Sequence, residues 1–223
     1  MGVNANPKKP AGIRDAPSAA SWAYAEQFVP ESEVTTDARV QAAPLGVAPL
    51  GQGTAATLTV LAHAIGARAV VEIGTGTGVS GLALFAGMRP DGILTSVDIE
   101  AEHQAVARKA FVASGIATQR FRLITGAALS VLPKLSDGAY DLVFVDGDKL
   151  EYPAYLEQAL RLLRHGGVLA IDNSLWRDKT ADPSATDAST EAIRQALTEV
   201  RDNEDLLDTL LPVGDGLLVA VKR

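Results

Sequence analysis

No cysteine occurs among the 223 residues. Disulfides and thiolate metal sites are therefore excluded, and any metal would have to be held by oxygen or by the three histidines. The absence fits a reducing cytosol, and a cytoplasmic protein is expected. No stretch approaches the ~20 apolar residues of a membrane-spanning helix, and the opening MGVNANPKKPAGIRDAPSAA lacks the apolar core of a secretory leader. Met1-Gly2 is a poor myristoylation signal, because Asn6 stands where Ser or Thr is needed. No membrane partner is expected. Positive charge is also scarce: 20 basic residues face 27 acidic ones, for a net charge of −7. With no long basic stripe to offset that repulsion, nucleic acid is not an expected partner.

What is present is a chain 47% hydrophobic, enough for one sizeable core. We read residues 1–223 as a single domain: a loosely ordered arm over 1–20, a helical region over 21–66 and an α/β core over 67–223. SAASWAYAEQFVPE places Trp22, Ala25 and Phe28 or Val29 at helical spacing before Pro30, and GTAATLTVLAHAIGA reads as a helix closed by Gly66. From Ala69 onward strand-like runs (AVVEI, ILTSVDI, FRLIT, YDLVFVDG, GVLAIDN) alternate with helical stretches at 79–88, 101–113, 128–135, 153–164 and 187–201. That alternation predicts βαβ units and a parallel sheet covered on both faces. The last two runs flank Gly214-Asp215-Gly216, a connection so short that it makes an antiparallel hairpin. The segments around 30–52 and 176–187 read as loops.

The first βα turn is VVEIGTGTGVSG, with Gly74, Gly76 and Gly78 spaced two apart. In an open parallel sheet, ligands bind beyond the carboxyl ends of the strands. Glycines there let the backbone turn tightly and approach a ligand, with helix amides facing it. The dinucleotide fingerprint places its last glycine five positions after its first, which this loop does not. Glu72, two positions before the first glycine, would repel a pyrophosphate but attract an ammonium group. Asp98, at the end of the second strand, can accept hydrogen bonds from ribose hydroxyls, a feature that serves NAD and S-adenosylmethionine equally.

At the ends of the fourth and fifth strands lie FVDGDK, with Asp146, Asp148 and Lys149, and AIDN, with Asp172 and Asn173. Asp146, Asp172 and Asn173 offer three hard oxygen donors, the set expected for Mg²⁺. Each could equally cap a helix or form a turn. Lys149 could instead be a surface lysine paired with Asp148 or Glu151, and Trp176 is either the wall of an aromatic pocket or core. Nothing marks His63, His103 or His165 as a ligand.

In this order and spacing, EIGTGTG, Asp98, DGDKLEY and DNSLW resemble the cation-dependent O-methyltransferases of the catechol and caffeoyl-coenzyme A type, over about residues 45–223. The resemblance implies a Rossmann-like class I methyltransferase fold, a seven-stranded sheet whose last strand is antiparallel. It implies S-adenosylmethionine held by Glu72, Gly74, Thr75, Gly76, Ser80, Asp98, Ile99 and Asp148, with Ala127 near the adenine and Leu50 as a further contact. It also implies a divalent cation on Asp146, Asp172 and Asn173, Lys149 as the catalytic lysine, a phenolic substrate and a homodimer. The family often has an aromatic residue where this chain has Gly76, and its Glu-Gly-Gln stretch is replaced around VAPLGQGTAA. Two other readings stay open: a Rossmann-type NAD(P)-dependent oxidoreductase, which the glycine spacing opposes, and a non-catalytic S-adenosylmethionine-binding protein, which the retained lysine opposes.

Overall fold

The computed structural model describes residues 17–223. The arm expected over 1–20 lies mostly outside them, and its last two residues already belong to a helix, α1 (Ala19–Glu26). Further helices are α2 (Glu33–Ala42), α3 (Gln52–Ala64), α4 (Val79–Gly87), α5 (Ala101–Ala113), α6 (Ala128–Val131), α7 (Tyr152–Leu162) and α8 (Ala188–Arg201). The strands are β1 (Ala69–Ile73), β2 (Ile93–Asp98), β3 (Phe121–Thr125), β4 (Tyr140–Val145), β5 (Leu163–Ile171), β6 (Leu206–Leu211) and β7 (Leu217–Lys222).

They form one sheet in the order β3-β2-β1-β4-β5-β7-β6. β1 to β5 pair in parallel, and β7 is antiparallel to both neighbours. The chain leaves β1 in one direction to make β2 and β3, and later returns to β1's other side with β4. The strand order therefore reverses between β1 and β4, and a crevice opens beyond their carboxyl ends.

Alternate residues of the strands feed two cores. Val70, Leu94, Leu142 and Phe144 pack with α3, α4 and α5. Val71, Ile73, Val143 and Val145 pack on the opposite face with α6, α7 and α8. Each fully buried Leu or Phe in these layers contributes about 1.5–3 kcal/mol relative to exposure. Burial on both faces is why the strands read as continuous apolar runs.

The segment before α3 differs from its reading as loop, because residues 33–42 are helical. Val34, Thr35, Thr36 and Val40 are β-branched and weaken the helical signal. Tertiary features supply what propensity lacks: Ser32 Oγ caps the Thr35 N–H, Ala38 and Ala42 are buried, and Arg39 forms an ion pair with Glu31 at 2.6 Å. The first helix ends at Glu26, ahead of Pro30, and α7 stops at Leu162, where β5 begins. No helix among the described residues is long and apolar enough to cross a membrane.

Candidate active site

A cavity of about 370 Å³ lies at the switch point between β1 and β4. Ten residues named from the sequence line it: Leu50, Gly74, Thr75, Gly76, Ser80, Asp98, Ile99, Ala127, Asp146 and Asp148. Gly74 shows why the loop needs glycine. Its φ is +95°, and a Cβ there would lie 2.2 Å from the Asp146 carbonyl oxygen, so the turn after β1 presses directly on the end of β4.

Asp98 ties the second strand to this loop. Its Oδ2 accepts the Gly76 N–H at 2.9 Å, and its Oδ1 accepts the Glu100 N–H at 2.9 Å. A carboxylate has about four acceptor sites, which leaves capacity for two ribose hydroxyls. His103 is in the same corner: it lines the cavity, with Nδ1 3.4 Å from Asp98 Oδ1. The sequence reading passed over it, because the start of α5 carried no signal that this turn would point at the ligand.

Glu72 lies one layer behind the wall. It is fully buried, and its carboxylate accepts hydrogen bonds from Ser80 Oγ at 2.6 Å and Ser96 Oγ at 2.5 Å. Burial pushes its pKa up to about 7 despite those two bonds. Ser80, which lines the cavity, is its link to the ligand side. The network continues from Ser96 to Thr75, and Gln104 Nε2 donates to Thr75 Oγ1 at 3.3 Å and to the Ile124 carbonyl at 3.0 Å. Loop, second strand and third strand are thereby joined by buried polar side chains, of which the sequence reading singled out Glu72, Thr75 and Ser80 but not Ser96 or Gln104.

The other end of the crevice is built by β4 and β5. Asp172 is buried, its Oδ1 has no hydrogen-bond partner among the described residues, and Asn173 follows it at φ +54°. Burial raises the Asp172 carboxyl above the ordinary carboxylate range, and the nearby Asp146 charge adds to the shift. Asp146 is also raised by burial, against the opposing pull of Lys149. Lys149 Nζ donates to Asp146 Oδ1 at 2.9 Å and to the Gly147 carbonyl at 3.1 Å. It is not paired with Asp148 or Glu151: Asp148 accepts the Leu150 N–H, and Glu151 accepts the Tyr155 hydroxyl. Its ammonium stands 5.0 Å from the Tyr152 ring centroid and 5.9 Å from that of Trp176. Trp176 is half-buried and packs on the core, and its indole N–H is buried without an acceptor among the described residues.

Residues 25–223 match the family described as O-methyltransferase. The chain belongs to that family. A relative from Mycobacterium sp. (strain JLS), which bears the O-methyltransferase name, is 44% identical over 96% of this chain and 97% of its own. The O-methyltransferase TomG of Streptomyces achromogenes, solved with S-adenosylmethionine, has a TM-score of 0.83 at 26% identity, covering 93% of this chain and 99% of its own. An O-methyltransferase of Bacillus cereus, solved with S-adenosylhomocysteine, has a TM-score of 0.80 at 26% identity, covering 92% and 99%. The protein is thus an S-adenosylmethionine-dependent O-methyltransferase. Neither a nicotinamide oxidoreductase nor a non-catalytic binder describes it.

The methyltransferase cavity fits its donor by chemistry as well as by family. Backbone amides and the Asp98 carboxylate face one end, the apolar Ile99 and Ala127 line the mouth, and the Ser80–Glu72 pair backs the loop. Glu72, Lys149, Asp172 and Asn173 are not part of the lining. His63 is exposed on α3 and His165 bonds the Arg223 carbonyl, both outside the site.

Proposed function

We propose that this methyltransferase transfers a methyl group to a hydroxyl of a small catechol-like or phenolic substrate, with a divalent cation, Mg²⁺ in the first instance, held by Asp146, Asp172 and Asn173. The observation that carries the reading is the buried Asp172. A carboxylate with an unpartnered oxygen beside a second carboxylate is costly unless positive charge completes it. No three His, Cys, Asp or Glu side chains gather as a metal cluster among the described residues. The donor set is two carboxylates and one amide oxygen, hard ligands that suit Mg²⁺ with water or substrate oxygens beside them.

When bound, the cation supplies the charge that stabilises an ionised acceptor oxygen. The remaining work falls to the chain. The glycine loop, Asp98 and Ser80 fix the donor so that its methyl group faces the acceptor, which converts a bimolecular encounter into an aligned one. Lys149, at hydrogen-bond distance from Asp146, is placed to orient the acceptor oxygen as the ammonium, and only in its amine form would it take the proton leaving the acceptor hydroxyl. Trp176, half-buried beside that lysine, offers flat apolar surface to an aromatic ring, and the buried Tyr152 packs behind the lysine.

The same reading makes the protein a cytoplasmic homodimer with neither nucleic acid nor membrane as partner. Trp22 on α1, half-buried, and Phe28 just after it, 68% exposed, would supply part of the subunit contact, with the exposed Tyr24 beside them. Deleting residues 1–30 should lower the mass seen by light scattering, and an unchanged mass would count against it. The main test is turnover to S-adenosylhomocysteine over a catechol panel. EDTA should abolish turnover while calorimetry shows the methyl donor still bound, and Mg²⁺ or Mn²⁺ should restore it. EDTA-resistant turnover would refute the metal reading.

A further inference from the structure

All four non-glycine residues with positive φ among the described residues fall in one stretch after β5: Asn173 (+54°), Trp176 (+48°), Arg177 (+54°) and Asp178 (+65°). Side chains disfavour this conformation, and it persists only where surrounding contacts impose it. Three of the imposing contacts come from the β6–β7 turn. The Ser174 N–H donates to the Gly216 carbonyl at 2.9 Å, and the Leu175 N–H donates to the Asp215 carbonyl at 2.9 Å. The Arg177 N–H donates to the Asp215 carboxylate at 2.7 Å. Contact is so close that a Cβ on Gly216 would lie 2.6 Å from the Leu175 nitrogen. The turn is itself braced from behind, since the Gly214 N–H donates to Glu26 at 3.4 Å and Glu26 also accepts the Gly53 N–H at 3.0 Å.

From these contacts we infer that Asp215 is a positioning residue for the acceptor side of the site. By holding the Arg177 N–H it keeps the preceding residue, Trp176, in its left-handed conformation, with the indole beside Lys149. The turn would thus set the shape of the acceptor pocket without touching the acceptor. A hairpin turn needs only residues that tolerate its backbone. The side-chain bond from Asp215 to a strained loop 38 positions earlier in sequence is what such a turn does not need. The inference rests on the acceptor reading above only for the identity of what Trp176 faces.

The test uses the full chain with Trp22→Phe, which leaves Trp176 as the sole tryptophan of two. In Asp215→Ala, Trp176 emission should shift to the red and acrylamide quenching should rise. The acceptor KM should rise roughly tenfold, the equivalent of one hydrogen bond lost, with a smaller change in kcat and unchanged affinity for the methyl donor. Asp215→Asn, which keeps an acceptor oxygen, should restore most of both readouts. If the alanine variant does not fold, Asp215→Ser carries the same test, because its hydroxyl suits a turn but is too short to hold the Arg177 N–H. Unchanged Trp176 emission with unchanged acceptor KM in a folded variant would overturn the inference, as would a loss of donor affinity in step with acceptor affinity. The fluorescence arm uses no substrate, so failure of the acceptor reading appears separately, as absent turnover in the parent protein.

Discussion

The two ends of the crevice are built on opposite principles. At the donor end, Glu72, Ser80, Ser96, Thr75 and Gln104 satisfy one another, and the left-handed positions of the loop are all glycines. Thr77 Oγ1 is the one buried side-chain polar atom of that loop without a partner among the described residues. At the other end, two carboxylates repel each other, Asp172 Oδ1 and the Trp176 indole N–H lack partners among the described residues, and the left-handed positions are Asn, Trp, Arg and Asp. A self-satisfied network is rigid before its ligand arrives. An unsatisfied one stores unfavourable energy that a ligand can relieve. On the proposed reading, the donor site is therefore preformed by the chain, whereas the acceptor site would be completed by what binds there.

The largest effect should come from breaking the acceptor end. Asp172→Asn removes one of two clustered charges and should lower kcat by roughly a hundredfold or more, equivalent to several kcal/mol of lost charge stabilisation. The same change should raise the melting temperature of the metal-free protein, because a costly buried charge is gone. Loss of activity together with loss of stability would mean that Asp172 is structural. Lys149→Ala should lower kcat by about 10²–10⁴ while metal affinity, read by calorimetry, survives. A variant that no longer binds the cation would move Lys149 from proton handling to site assembly.

At the donor end the effects should be smaller and confined to binding and stability. The Glu72 carboxyl titrates near 7 in the folded protein against an ordinary value of 4.5. The folded state therefore holds a proton that the unfolded chain releases. The stability this contributes is complete below about pH 4.5 and is lost as pH rises through 7. Across that window the loss should amount to at most about 3 kcal/mol, and Glu72→Gln should flatten it in urea titrations compared with the parent. An unchanged slope would mean that the buried carboxyl is charged throughout. Asp98→Ala should weaken methyl-donor binding by about 1.5–3 kcal/mol per charged hydrogen bond lost, with metal affinity unmoved. Equal donor affinity in the variant would relocate the ribose end of the cavity.

Much of this was legible from the chain alone because the signals are local. Strands buried on both faces must be apolar throughout, and α5 was read as 101–113, the span the structure shows. That Gly74, Thr75, Gly76, Ser80 and Asp98 would come together at one cavity was legible because each sits at a strand end or in the loop that follows it. α2 was not, since its β-branched residues conceal a helix held by Ser32 and by packing. Nor were His103 and Gln104, which act through contacts with residues near 75, 98 and 124.

Sequence by itself determined which residues could form the parallel strands, where the glycine turn falls and which hard oxygen donors end β4 and β5. Each of those depends on neighbours a few positions away, through side-chain period, backbone permissiveness and turn chemistry. Only the tertiary structure decided that β7 inserts between β5 and β6, that Glu72 stands behind Ser80 and that Asp215 reaches back to Arg177. Those contacts join segments far apart in the chain, and their partners are selected by how the layers pack, which no local pattern encodes.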